Sequence, residues 1–568
     1  MATLVVPGVR VEARFDVLPP LPATSGILGA VGIVDRAPPG GGLVSVSKVT
    51  ELREILGQGT EASMPEVVHA LANGASEAVI SAVLGGSHAS LTLLNGDSQA
   101  VVILRCRSKG LWGNALRAEV RTVTNAANDV VRVSLRLLMN GKVVESFEDL
   151  QVAPGQPSDL FETVNRRSRF VVAIDPGFAD VVPADNTYTF ADTGAAINVP
   201  EAGGTRNLFR LLPGDGVDPN GLSVQIQVAA ADKRIRVQVF QRGLQEEFAG
   251  LGIDPDSGDY LPSVLLTQSR FIRVQPLSSA AAGKQLPFGT SAPQAFANGT
   301  SPSVDDYQAA IDLLVDDPRI DLVLASIEPG RTNADVLRIH QALVAHAVVM
   351  ADNGAPRIAF GSITLDEQTN PNRLDKIKSH AASVRNRRFV LVAPSAAEGA
   401  VAGLVGRMNP QDAPTFKAVP LFGIAPANYR ESELNRLLGS SINLLVVQDR
   451  AGRGVIALKG IDTTGDQISV TRVADQAIRE TKAISENFIG QLNTDDARIA
   501  LKQQIFATLT RMERDGALVL STDGSDPAFL VDVYSTQLDF AQGIVRIDIA
   551  VRPVRAIDYI YATIRVKN

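Results

Sequence analysis

Strand-forming sequence stands at both ends of this 568-residue chain, and the segment at the start has no neighbouring segment to pair with. Near the start, Val9-Arg10-Val11-Glu12-Ala13-Arg14-Phe15 alternates apolar and polar side chains, the pattern of a half-buried strand. No hairpin turn follows, and Pro19-Pro20 breaks the path to any strand just downstream. Near the end, residues 558–566 read as a third strand after 529–535 and 543–552, and that run reaches to within two residues of the terminus. An unpartnered strand leaves main-chain donors and acceptors to satisfy, so the segment at the start raises the question of which sheet it joins.

Between the ends the pattern changes twice. Residues 29–35 read as a buried strand, 48–56 as a short helix closed by Gly57, and 66–73 as a helix ended by Asn73-Gly74. Strands are expected at 78–83 and 100–107. From 119 to 265 strict alternation takes over, with Val131 to Leu137 and Val143 to Phe147 joined by an Asn140-Gly141 hairpin turn, and with few helical signals. Helical sequence resumes at 303–314, and strands at 320–324, 357–360 and 388–392 alternate with a helix over 333–350 in a β–α–β rhythm. The last hundred residues begin with helices at 474–489 and from Thr494 onward, the second lining Leu501, Ile505, Leu509 and Met512 along one face. The fold class expected is α+β and multidomain: a mixed α/β core, an inserted β-rich domain and a C-terminal α/β domain with extended terminal arms.

The chemistry expected of an enzyme is missing from the sequence. There is no Walker phosphate loop, no Gly-x-Ser-x-Gly elbow and no His-Glu-x-x-His. His340 and His346 share a helix at a spacing that puts them on different faces, so they read as surface or core-edge residues. Asp254-Pro-Asp-Ser-Gly258 and Asp523-Gly-Ser-Asp-Pro527 read as turns, and the pairs Asp305-Asp306, Asp316-Asp317 and Asp495-Asp496 as helix-end acids. The single cysteine, Cys106, sits in an apolar run and reads as a small buried hydrophobe in a chain made in a reducing compartment. A net charge of −7 offers no field for nucleic acid, and no apolar run of spanning length is evident. No catalytic residue, cofactor or metal site is expected, nor nucleic-acid binding or direct membrane insertion.

Several stretches, in order, resemble the contractile tail sheath family of myophage tails, R-type pyocins and contractile injection systems. They are Pro7-Gly8-Val9-Arg10-Val11-Glu12, Gly32-Ile-Val-Asp-Arg-Ala-Pro38-Pro-Gly40, Leu111-Trp112-Gly113-Asn114-Ala115-Leu116-Arg117 and Val401-Ala402-Gly403-Leu404-Val405-Gly406-Arg407. Ala425-Pro426-Ala427-Asn428, Leu434-Asn435 with Ile442-Asn443, and the run Ala550 to Ile560 complete the series. Lys459-Gly460-Ile461-Asp462 departs from the family's Trp-Gly-Ala-Arg-Thr, and Ala13 follows Glu12 where the family has a second Glu.

The resemblance implies a division into an N-terminal linker arm (1–20), a first α/β core segment (21–118), an outward-facing β-rich insertion (119–265), a second α/β core segment (266–465), a lattice domain (466–555) and a C-terminal strand (556–568). It implies strand exchange between copies through Val9, Arg10, Val11, Glu12 and Ala13 and through Tyr559, Ile560, Tyr561, Ala562, Thr563 and Ile564. The expected function is a non-enzymatic subunit that polymerises helically around an inner tube and contracts to drive it through an envelope. Expected partners are the protein itself, the inner tail tube protein, and baseplate and tail terminator proteins. Assembly would take place in the host bacterial cytoplasm, giving a virion tail or phage-tail-like particle. A subunit of another lattice, such as a capsid or inner tube, and a hydrolase with a β accessory domain are the alternatives.

Overall fold

Ile27–Ile33 is buried along its whole length, as the uninterrupted apolar run Ile-Leu-Gly-Ala-Val-Gly-Ile requires of a strand covered on both faces. The computed structural model describes residues 26–36, 38, 42–126, 130–139, 141–151, 156, 158–176, 182–204, 206–254, 257, 259–276, 287, 289 and 292–559. The donated-strand residues Val9 to Ala13, and Ile560 to Ile564, lie outside them.

This strand is central to an eight-stranded sheet ordered Val44–Val46, Glu77–Val83, Ile27–Ile33, Leu322–Ala325, Ile358–Ser362, Phe389–Ala393, Leu445–Arg450, Gly454–Ala457. The six inner strands run parallel and the two outermost antiparallel. Helices cover both faces. Val304–Leu313, Asn333–Asp352, Arg373–Ser383 and Glu431–Leu437 pack on one side, and Val49–Leu56, Pro65–Asn73 and Glu398–Arg407 on the other. Asn333–Asp352 is long and apolar enough to cross a membrane, contrary to the sequence expectation, but Ile339, Leu343 and Ala347 seat it in this core.

The Val-Ala-Gly-Leu-Val-Gly-Arg motif has a packing cause. A Cβ at Gly399 or Gly403 would stand 2.0 Å from the Glu66 carbonyl oxygen or 2.2 Å from that of Ala70. Only glycine lets Glu398–Arg407 come this close to Pro65–Asn73. Gly74, left-handed at φ +106°, ends the latter as expected.

The β-rich region is larger than the sequence expectation, and it is built from two copies of one fold. In the first copy a three-stranded sheet (Ser90–Leu94, Ala100–Cys106, Val171–Ile174) faces a four-stranded one (Gln294–Ala295, Leu116–Thr124, Val130–Met139, Lys142–Leu150), with the helix Leu160–Arg167. In the second copy the corresponding sheets are Ile197–Pro200, Asn207–Pro213, Ile272–Pro276 and Asn186–Thr189, Ser223–Val228, Ile235–Phe240, Leu244–Leu251, with the helix Leu261–Gln268. Strand order is the same in both except at one edge, where Gln294–Ala295 follows its copy in the chain and its counterpart Asn186–Thr189 precedes the other strands of the second. The sequence offset is also the same at Glu145 and Glu246, at Leu160 and Leu261, and at Ser168-Arg169-Phe170 and Ser269-Arg270-Phe271.

The corner chemistry repeats as well. Ser168 Oγ and Arg169 N donate to the two oxygens of Glu145 at 2.6 and 2.8 Å, and Val171 N donates back to Ser168 Oγ at 3.0 Å. Ser269 Oγ and Arg270 N donate to Glu246 at the same two distances, and Ile272 N to Ser269 Oγ at 3.1 Å. The two copies pack together through Tyr260 Oη on the Asp175 carbonyl, Arg105 on Ser263 Oγ, and the Arg273–Glu162 ion pair. Two helices therefore stand where the sequence showed few helical signals. The expected 118/119 boundary falls inside Leu116–Thr124, and Ser90–Leu94 pairs with Ala100–Cys106, which pairs in turn with Val171–Ile174, so neither joins the central sheet.

Both helix histidines are buried, which corrects the surface or core-edge reading. His340 Nδ1 lies 2.9 Å from His380 Nε2, and His380 Nδ1 lies 2.9 Å from Glu367, so a polar chain satisfies rings that would otherwise be costly to bury. His346 Nε2 accepts from Arg357 at 2.6 Å. The two rings face different partners, as their spacing required. Cys106 is buried, and burial pushes its thiol pKa far up.

Candidate assembly interface

The C-terminal unit starts with the helix Ile468–Glu486, which lies across the amino ends of the central strands. Arg388, just before Phe389–Ala393, holds Asp475 with two bonds of 3.0 and 2.9 Å. Arg479 donates to the carbonyls of Pro318, Ile320 and Pro356, and Arg472 to those of Met408 and Asn409. Burial raises the Asp475 pKa, and the bonded Arg388 guanidinium opposes that shift. The unit is thereby fixed to the core at a seam that is largely desolvated.

Asp495–Arg514 follows, capped by Thr494 Oγ1 on Ala497 N, with Leu501, Ile505, Leu509 and Met512 buried as the periodicity predicts. Against it lies a two-stranded sheet, Phe529–Tyr534 with Arg546–Val551. Val531, Val533, Ile547, Ile549 and Val551 face the helices but remain only partly buried. Among the described residues neither strand has a second neighbour. A two-stranded sheet is marginal alone, and here its apolar face is half covered and both edges are open.

After Val551 the chain turns back to the core. Arg555 pairs with Asp466 at 2.7 Å, Gln467 bonds both main-chain groups of Ala556, and Asp558 accepts from Gln467 at 2.9 Å. Within one chain, residues 558 and 559 pair with no strand among the described residues. Tyr559, the one predicted exchange residue that is described, is 66% exposed with Lys459 Nζ 5.5 Å from its ring centre.

The strand order of the central sheet reverses between Ile27–Ile33 and Leu322–Ala325, the place where open α/β sheets bind ligands. Here it is packed. Met64 fills the space a Gly32 side chain would take, and the carboxyls of Glu66 and Glu398 are buried beside Ser326 and Ser362. Burial raises both pKa values, and for Glu66 the neighbouring Glu398 adds to the shift. Among the described residues no group of three or more His, Cys, Asp or Glu is placed to hold a metal.

Fold and seam together define an α/β chain that presents an incomplete sheet on a rigidly attached C-terminal unit. Residues 462–567 match the family described as the phage tail sheath C-terminal domain, and the sequence resemblance is borne out there. No curated protein matches the chain. Among solved structures the chain is similar to a sheath tail protein from Desulfitobacterium hafniense (12% identity, 92% of this chain and 93% of that one, TM-score 0.44). It is similar also to a sheath tail protein from Listeria innocua (11% identity, 94% and 93%, TM-score 0.45). A third similarity is to the helical sheath of the anti-feeding prophage in its contracted state (18% identity, 49% and 78%, TM-score 0.35).

Proposed function

We propose that this chain is the repeating subunit of a contractile sheath, polymerising head to tail around an inner tube and shortening to drive that tube through a target envelope. The observation that carries the reading is the two-stranded sheet Phe529–Tyr534/Arg546–Val551, open at both edges and half covered on its apolar face. Strands from other copies complete it: Val9 to Ala13 from one neighbour and Tyr559 to Ile564 from another. Each main-chain bond contributes about 1 kcal/mol net, so one five-residue strand holds weakly. Several linkages per subunit make loss of any one effectively intramolecular, and the lattice holds. Because the donor and acceptor surfaces differ, the contact is heterologous and propagates as rings or a helix.

In this reading the β-rich insertion faces outward, the inner tube, baseplate and terminator proteins are the partners, and the polymer forms in the host cytoplasm before joining a tail or tail-like particle. In this reading the subunit is a structural part of the polymer. Deleting residues 1–18 and imaging the product by negative-stain electron microscopy tests the arms. Short rings or monomers with unchanged circular dichroism are expected. Long sheaths of ordinary width from the truncated chain would refute strand donation, and closed shells or narrow tubes from the intact chain would favour another lattice.

A further inference from the structure

A cleft of about 800 Å³ opens where the carboxyl end of Ile27–Ile33 meets both β-rich copies. Its apolar lining includes Phe161, Leu266 and Phe271, and Arg36, Arg107 and Arg270 reach it from three separate elements. Among the described residues Arg36 donates only to carbonyls, Thr267 O at 3.1 Å and Glu54 O at 3.3 Å. Arg107 is held by the Ser168 and Asn165 carbonyls, and its remaining Nη1 lies 3.8 Å from Asp35. That carboxyl is a poor counter-charge, because burial favours its neutral form and its Oδ1 has no partner among the described residues.

The duplication makes Arg270 stand out. Its counterpart Arg169 packs over Phe170 and lies 3.8 Å from Glu145, at the equivalent corner of the first copy. Arg270 keeps the main-chain bond to Glu246 but has no carboxylate within 4.0 Å of its guanidinium among the described residues, and it lines the cleft beside Arg36. Same corner, same backbone, different use of the side chain: in the second copy the cation is left for something else. Glu162, Asp215, Glu54 and Asp218 also line the cleft, and Arg273 holds the first two.

We propose that this cleft binds a small phosphate-class oxyanion ligand, held by Arg36, Arg107 and Arg270. Three guanidiniums carried by separate elements and close enough for Arg36 to feel the other two suit a multiply charged tetrahedral group better than a single planar carboxylate. The apolar lining leaves room for an organic portion beyond the anion. Nothing in the sheath reading requires this ligand, and its absence would leave that reading untouched.

The test is isothermal titration of the full-length chain with pyrophosphate, with citrate as a parallel arm. Saturable pyrophosphate binding is expected, weakened about tenfold or more in Arg270→Ala and unchanged in Arg169→Ala, since one charge-assisted pair carries that much. Circular dichroism of both variants establishes that the fold is intact, and Arg270→Lys, which keeps the charge without the fork, should restore part of the affinity. Absence of pyrophosphate binding, equal binding by Arg270→Ala, an equal loss in Arg169→Ala, or citrate binding as tightly as pyrophosphate would each overturn the proposal.

Discussion

Glu145→Ala and Glu246→Ala form a matched pair of perturbations, because each removes the same two charge-assisted bonds from the same corner. Each carboxylate accepts a serine hydroxyl at 2.6 Å and a main-chain N–H at 2.8 Å, and each truncation leaves that N–H without its acceptor. Together these should cost about 3 kcal/mol of local stability, equivalent to roughly a hundredfold faster local opening. A chain of this size does not unfold as one two-state unit, so hydrogen exchange by mass spectrometry is the suitable assay. Peptides covering 160–174 should lose protection in Glu145→Ala while those covering 261–276 keep theirs, and Glu246→Ala should show the reverse. The double variant should be additive, since the two corners share no partner. If either truncation left its own corner's exchange within about threefold of wild type, the corner bond would not be what closes these units, and the energetic equivalence of the copies would fail.

Glu66 and Glu398 are buried with raised pKa values, so ionising them opposes folding. Their contribution is fully present below the ordinary carboxylate range and is lost as pH rises through the folded value, about 8 for Glu66. Thermal melts should therefore show a lower Tm at pH 9 than at pH 6, with the difference reduced in Glu398→Gln. Gly403→Ala should speed hydrogen exchange along 398–407 through overpacking against the Ala70 carbonyl, by an amount equivalent to about 2 kcal/mol, whereas Gly42→Ala, with nothing within 4 Å, should leave exchange unchanged. Asp475→Asn should cost about 3 kcal/mol at the core seam, read as faster hydrogen exchange along 468–486, because it weakens one partner of a mostly buried pair.

Much of the core was legible because its signals are local. Asn73-Gly74 ends a helix, Ser303 with Asp306 caps one through both reciprocal bonds, and Thr494 opens another. The helix face Leu501, Ile505, Leu509, Met512 followed from spacing alone. What escaped was set by tertiary context. Leu160–Arg167 and Leu261–Gln268 span eight residues each, too short for periodicity to show, and their corners sit far apart in sequence. The recurrence of Ser-Arg-Phe at the offset that also relates Glu145 to Glu246 was the available signal, and it reveals the duplication once aligned. His340 and His346 were misplaced because spacing reports only the helix face, and their burial depends on partners contributed by other elements. The two-stranded sheet itself was readable from alternation at 545–551. Of the segments proposed to be donated, all but Tyr559 lie outside the described residues.

The seam to Ile468–Glu486 grips the sheet at its amino ends, through Ile320, Pro356 and Arg388, while the duplicated region joins it at the carboxyl ends, through Asp35 with Gln268 and Glu328 with Leu111. Any pull or push between those two attachments runs lengthwise along parallel strands. The inter-strand bonds then resist in shear, many at once, where a load across the sheet would open them one after another. The core is placed to act as a stiff strut between its two attachments, and displacement applied at one reaches the other with little taken up between.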